Sequence, residues 1–324
     1  MNIPIFVSHV GCPNDCAFCN QRSITGTVEA PPPERVGEIV ETYLSGGKTG
    51  DNTIAFFGGS FTGIEKNLQR CYLAEAKKYL DRGLVSGIRL STRPDYIDEE
   101  RLDLLAEYGV TNIELGAQSM DDGVLAASGR GHDSDAVRRA SGLIKERGFA
   151  LGLQMMTGLP LDTPEKSIAT AEEFIRFGAE ETRIYPTLVM EHTRLAELYR
   201  AGEYAPQTVE EAVALGALLY ERFRNAGVRV LRIGLSDSEG LKDGCVAGPY
   251  HPAMGELVMS RYIRNQLEKC VVDGRLEIAA PSKYISKIIG NKKCNQLYFA
   301  ERGIALSLKE GKAILVNRKY SLEV

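Results

Sequence analysis

The sequence predicts an α/β fold: a partial TIM-like (βα)6 barrel with a small C-terminal α/β extension. Two observations lead there. Short β-branched or apolar runs alternate with amphipathic stretches from the first residues to about position 233, and regular strand–helix succession builds a parallel sheet. Most of those runs also end in Gly-, Ser- or Pro-rich loops, which places the chemistry at the C-terminal strand ends.

In chain order, strands are expected at 3–7, 53–57, 88–91, 112–116, 150–155 and 182–186. Helices are expected over 33–44, 68–82, 98–108, 134–147 and 166–177, where apolar residues recur at helical spacing. The pattern changes after Leu235. Residues 234–244 are polar and turn-rich and read as a loop; a helix over 253–272 follows. Residues 276–324 read as strand, helix, helix and two short strands. The expected organisation is a barrel over 1–235, a loop and helical connector over 236–275, and a small α/β tail over 276–324.

The chain has 324 residues, 44% hydrophobic and 25% charged, enough for a barrel with an appendage. Its 39 basic and 43 acidic residues leave a net charge of −4. That balance excludes a general basic field, so any RNA contact must come from a local patch. No apolar run approaches the ~20 residues of a membrane span. The N-terminus lacks the basic region and longer apolar core of a signal peptide, so the expected location is cytoplasmic, with no membrane partner.

Three of the seven cysteines crowd into Gly11-Cys12-Pro13-Asn14-Asp15-Cys16-Ala17-Phe18-Cys19, directly after the first expected strand. Clustered thiols in a reducing compartment read as metal ligands. The C-x3-C-x2-C spacing allows three thiolates on one loop to bind three irons of a [4Fe–4S] cubane, leaving the fourth open. S-adenosylmethionine can chelate that iron through its amino and carboxylate groups, and one electron then releases a 5′-deoxyadenosyl radical. Two alternatives stand beside this. A zinc site would need a fourth ligand, for which His9, three positions before Cys12, is the nearby candidate; or the thiols carry no metal at all.

The triplet and the βα pattern resemble the radical S-adenosylmethionine superfamily. Further segments are similar to the radical domain of the catalytic subunit of Elongator, which modifies wobble uridine in tRNA. They are Phe57-Gly58-Gly59-Ser60-Phe61, Thr92-Arg93-Pro94-Asp95-Tyr96, Glu114-Leu115-Gly116-Ala117-Gln118-Ser119, Arg130-Gly131-His132, Met155-Met156-Thr157-Gly158-Leu159-Pro160 and Ile184-Tyr185-Pro186-Thr187-Leu188-Val189. They cover roughly residues 9–205, in the family's order.

The resemblance implies that Cys12, Cys16 and Cys19 hold the cluster, and that the Gly58, Gly59 and Ser60 loop meets the methionyl amino group. It also implies that Gln118 and Arg130 serve the ribose and carboxylate. Arg93 could serve the same anion or cap its turn. Tyr185, at a strand end, could line the substrate cavity or be a packed core tyrosine. His132 reads as a structural hydrogen-bonding residue, and Glu114 could point into the barrel. Two departures matter. Ser91 replaces an acidic residue, and the family's basic N-terminal extension and acetyltransferase segment are not expected here, so acetyl-CoA chemistry is not expected either.

In the tail, Ile285-Ser286-Lys287-Ile288-Ile289-Gly290-Asn291-Lys292-Lys293 is faintly similar to a KH RNA-binding module, with Lys293 where its second glycine should stand. Lys283, Lys287, Lys292 and Lys293 form the densest basic cluster. They read as an RNA contact or as the exposed face of a packing domain. Cys245, Cys270 and Cys294 are too dispersed for a cluster motif, Cys71 reads as core, and residues 242–251 form a polar loop that could cover the barrel mouth.

Three functions follow as expectations. The first is a radical enzyme of tRNA or RNA modification, drawing on an external electron donor. The second is a radical enzyme acting on a small molecule or cofactor precursor. The third is a non-enzymatic RNA- or metal-binding protein on the same fold.

Overall fold

The computed structural model describes residues 1–7, 12, 16–19, 30–46, 51–235, 239–317 and 320–321. His9, Gly11, Pro13, Asn14, Asp15 and Asn20 lie outside the described residues.

Six parallel strands stand in sequence order: β1 (Asn2–Phe6), β2 (Thr53–Phe57), β3 (Gly87–Thr92), β4 (Val110–Gln118), β5 (Ala150–Thr157) and β6 (Glu181–Pro186). All six expected strands are present, within two residues at most ends. β7 (Val189–Met190) leaves the sheet, and β8 (Arg229–Ile233) joins β6 as a seventh parallel strand. The sequence pattern predicts only six. β8 is an edge strand with two arginines and no fully buried residue, so it lacks the apolar run that marked the others. β1 and β8 do not pair with each other, so the barrel stays open.

Helices Arg35–Ser45, Lys66–Asp81, Glu99–Glu107, Ser134–Glu146 and Pro164–Arg176 return the chain between strands. Asp98, Asp121, Asp133 and Thr163 cap the helices that follow them, each side chain accepting a backbone N–H of the first turn. Ile54, Ile88, Leu90, Ile113, Leu151 and Leu153 pack outward against those helices in one continuous core. Cys71, expected in the core, is in its helix but exposed, because Tyr72, Leu73 and Ala76 fill the buried face.

The stretch expected as a loop over 234–244 contains a short helix, Glu239–Gly244, while Ser236, Asp237 and Ser238 lie outside the described residues. β9 (Cys245–Ala247) then pairs antiparallel with β7 just past the end of β6. The polar 242–251 segment thereby lies at the mouth of the sheet.

A second core collects around helices Val209–Asn225 and Met254–Glu268 and the chain that follows. There β10 (Arg275–Ala280) lies between β11 (Ala305–Glu310), parallel, and β12 (Leu315–Val316), antiparallel; β13 (Tyr320–Ser321) completes the sheet. Helices Ser282–Ile289 and Cys294–Glu301 come between β10 and β11. The sequence pattern predicts three strands here, one fewer than the structure has.

Candidate active site

Most of the expected site residues gather where the C-terminal ends of β1 to β4 converge. The Cys16–Cys19 turn is closed by the Cys19 amide donating to the Cys16 carbonyl at 3.0 Å. Two further backbone bonds anchor it: Ala17 N to Ser128 O at 2.9 Å and Leu195 N to Ala17 O at 2.8 Å. Phe18 packs against Val189, Leu195 and Ala196, so the aromatic before the last cysteine secures the loop.

Arg130 is buried and spans this turn and β4. Its Nη1 donates to Cys16 Sγ at 3.1 Å and its Nη2 to the Gly116 carbonyl at 2.6 Å. Arg93 lies behind it, donating through Nη2 to the Arg130 carbonyl at 2.6 Å and gripping Asp95 with two 2.9 Å bonds. Burial would lower the Arg93 guanidinium, but Asp95 and the two cysteines outweigh it and raise its pKa. Arg93 therefore caps its turn through Asp95 and also faces the cysteines.

Solvent reaches Cys12, yet the surrounding protein removes enough water to raise its thiol, and Cys16 adds to the rise. Arg93, Arg130 and the Ser60 backbone amide pull the other way. Cys12 and Cys16 are thus electrostatic neighbours. Among the described residues, no three Cys, His, Asp or Glu side chains stand close enough to hold a metal ion, and Cys245, Cys270 and Cys294 form no such group either.

The β2 loop begins at Gly58 with φ +95°, a conformation that suits glycine. The buried Ser60 hydroxyl lies 2.9 Å from Thr92 Oγ1 and accepts the Arg93 amide at 3.2 Å. It locks the β2 and β3 loops together. Gln118 ends β4 with φ +68°, and its buried Oε1 has no hydrogen-bond partner among the described residues. A Cβ on Gly116 would come within 3.0 Å of Gln118 Nε2 and 3.4 Å of Arg130 Nη2. Bare backbone there lets both polar heads approach.

His132 faces the Ala117 carbonyl at 3.3 Å. Its pKa is pushed down to about 4, by burial first and then by Arg130 and Arg93. It is neutral and hydrogen-bonded, in the structural position expected of it.

Below this pocket the sheet encloses a charged floor that the sequence reading touched only at Glu114. Glu114 on β4 lies 2.8 Å from Arg183 Nε on β6 and 3.4 Å from Arg89 Nη2 on β3, and accepts from Gln154 on β5. Arg89 also reaches Glu181, which Arg229 of β8 meets from the other side. Gly152 is the register partner of both Glu114 and Glu181. A Cβ there would lie 3.2 Å from Glu114 Cγ, so the glycine leaves the gap that Arg89 crosses. Burial alone would raise the Glu181 carboxyl, but Arg89 and Arg229 hold it below its ordinary range.

Tyr185 ends β6 at the rim of this floor. Burial raises its phenol while Arg183, its hydrogen-bond partner, opposes the rise. Arg183 also lies over the Phe57 ring at 5.1 Å. The floor residues alternate along their strands, Arg89-x-Ser91 and Arg183-x-Tyr185, and that alternation is the signal that could have found them.

The donor set suits an iron–sulfur group bound beside an anionic ligand. The Cys12 and Cys16 thiols are electrostatic neighbours and form no disulfide, Cys16 accepts a guanidinium N–H, and two buried arginines supply positive charge. An unsatisfied carboxamide oxygen, Gln118 Oε1, stands ready for a further donor.

Comparison with known proteins agrees. The Radical SAM superfamily model matches residues 6–174, and the Radical_SAM C-terminal domain matches 179–264. Human Elongator complex protein 3 is 36% identical over 148 residues, 44% of this chain and 27% of that protein. The tRNA uridine(34) acetyltransferase of Methanocaldococcus jannaschii is 33% identical over 129 residues, 39% of this chain and 24% of that one. This chain spans well under half the length of either relative. The solved structure of Methanocaldococcus infernus Elp3 with an N-terminal deletion shares the fold, with a TM-score of 0.66 and 24% identity, covering 82% of this chain and 62% of that one. Since the superfamily's model matches more than half of the chain and spans Cys16, Arg93, Gln118 and Arg130, the chain belongs to the radical SAM superfamily, enzymes that bind a [4Fe–4S] cluster and S-adenosylmethionine.

Proposed function

We propose that this enzyme generates a 5′-deoxyadenosyl radical and uses it to modify a tRNA or another RNA. The observation that carries the radical reading is the buried Arg130, donating to Cys16 Sγ while Arg93 braces its carbonyl. In this reading Cys12, Cys16 and Cys19 hold the cluster. The chemistry supplied there is one-electron reductive cleavage of S-adenosylmethionine, with the electron arriving from an external donor.

The chain's own residues do the rest. Arg130 and Arg93 attract the methionyl carboxylate, and the Gly58–Gly59 backbone and Ser60 border the amino group. Gln118 Oε1 accepts a ribose hydroxyl, a donor that would satisfy this buried atom. Tyr185, held by Arg183, faces the substrate from the end of β6. The RNA assignment draws on the relatives whose names refer to Elongator and tRNA uridine(34), with Lys287, Lys292 and Lys293 as an RNA contact in the tail. The second reading, a small-molecule substrate, finds a polar binding surface in the charged floor around Glu114 and Arg183.

The test is anaerobic reconstitution followed by iron and sulfide analysis and a 5′-deoxyadenosine assay with dithionite. Wild type should carry about four irons per chain and release deoxyadenosine. Cys16→Ala should lose both. A wild-type protein that takes up zinc and no sulfide would defeat the reading.

A further inference from the structure

Several cations of the tail form no ion pair among the described residues. Arg261 pairs with Glu210 and Lys269 with Glu221. Among the described residues no ion pair engages Arg264, Lys292, Lys293 or Arg302. Arg264, on helix Met254–Glu268, places its guanidinium 4.2 Å from the centre of the Tyr298 ring, and Arg302 lies 3.6 Å from the same centre. The Tyr298 hydroxyl donates to Glu268, which fixes the ring. Two like charges are therefore held close together on one rigid aromatic support.

One helical turn before Arg264, Ser260 fixes the lysine pair. Its hydroxyl accepts the Asn291 amide at 3.1 Å, and its carbonyl accepts Asn295 Nδ2 at 2.9 Å. Asn291 Nδ2 also donates to Glu256 at 3.0 Å. The turn between helices Ser282–Ile289 and Cys294–Glu301 is left-handed at Gly290 (φ +84°), Lys292 (φ +48°) and Lys293 (φ +64°). Lys293 thus adopts a conformation that favours glycine. Side chains hold such backbone only where the surroundings impose it, and such sites are commonly functional. On the preceding helix Lys283 and Lys287 flank Tyr284 at 5.0 and 5.6 Å.

Clustered like charges repel and add nothing to folding unless an anion completes them. Planar guanidiniums bind phosphate through paired N–H groups, and a net charge of −4 rules out a general attraction for polyanions. We infer that Lys292, Lys293, Arg264 and Arg302 form a ridge that grips the sugar–phosphate backbone of the RNA substrate, outside the barrel. The inference rests on the RNA reading above and adds the two arginines and the geometry of the grip.

The test is fluorescence anisotropy of a labelled, unmodified tRNA transcript against reconstituted holoenzyme over a range of KCl. For wild type, log K should fall linearly with log salt. Arg264→Gln/Arg302→Gln and Lys292→Gln/Lys293→Gln should each weaken binding about tenfold or more at low salt and flatten the slope by about one to two. Arg264→Lys/Arg302→Lys should keep the slope. Thermal unfolding and substrate-free deoxyadenosine formation should match wild type in all three. If the first double variant melts early, Arg302→Gln alone, at an exposed helix end, carries the comparison. Wild-type affinity and slope in both Gln variants would overturn the ridge and leave the RNA reading standing. A wild-type holoenzyme that makes deoxyadenosine but binds no tRNA would overturn both. Duplex DNA or anionic vesicles bound as tightly as tRNA would overturn RNA as the partner.

Discussion

His132 turns one ring nitrogen toward the Ala117 carbonyl, and burial with Arg130 and Arg93 lowers its pKa to about 4. An unfolded histidine titrates near 6.5. As pH falls, the unfolded chain therefore takes up the proton first. The stability tied to neutral His132 is complete above about pH 6.5 and is lost as pH falls toward 4. Between pH 7 and pH 5 the loss is about 2 kcal/mol. Urea unfolding of the metal-free protein at both values checks this: wild type should lose about 2 kcal/mol more than His132→Gln. Equal losses would mean that His132 is not held neutral. Cys16, Arg93, Gln118 and Arg130, which the fold brings together, were legible at this scale because each stands in a short motif with fixed neighbours. Arg89, Gln154, Glu181 and Arg183 were not. Arg89 and Gln154 sit singly between apolar residues, and Glu181 and Arg183 flank Thr182 next to Glu180, so the sequence carries only alternation there and no motif.

At the scale of elements, the sheet's interior explains why several strands carry charge at all. Glu114 accepts from Gln154 and neutralises Arg183 and Arg89, so β3 on one side of β4 and β5 and β6 on the other depend on one carboxylate. Removing its charge leaves two buried guanidiniums with only Glu181 between them, and breaking such a buried pair costs about 3–5 kcal/mol. Glu114→Gln should therefore lose about 3 kcal/mol in urea unfolding, and Glu114→Gln/Arg183→Met should recover part of it. A loss under about 1 kcal/mol would show that water, not Arg183 and Arg89, solvates this carboxylate. The first six strands were legible because their outward faces are mostly Ile, Leu and Phe, buried under helices whose caps are also visible in the sequence. β8 was not, since an edge strand joined to its neighbour and to Glu181 through Arg229 needs no apolar run. The same holds for the two-residue strands of the tail, too short to show any period.

At the scale of the whole molecule, one helix joins the barrel to the tail. Along Val209–Asn225, Leu215, Leu219 and Phe223 belong to the barrel's core, while Ala212, Val213 and Ala217 belong to the second core. Small residues line the second side because helix Met254–Glu268 crosses close by. A Cβ on Gly216 would stand 2.9 Å from Val258 Cγ2. Any larger side chain must push the second helix outward, and that helix carries Ser260 and Arg264, which position the lysine turn and the Tyr298 support. The atoms nearest a Gly216 Cβ all belong to Val258, not to the site around Cys16 and Arg130. Gly216→Leu should therefore cost about 1–3 kcal/mol through overpacking and weaken tRNA binding. Cluster content and substrate-free deoxyadenosine formation should stay at wild-type levels. The measurements are urea unfolding, anisotropy with the tRNA transcript, and the deoxyadenosine assay on one preparation. Parallel loss of all three would mean that barrel and tail fold as a single cooperative unit, and that the ridge cannot be displaced without dismantling the site.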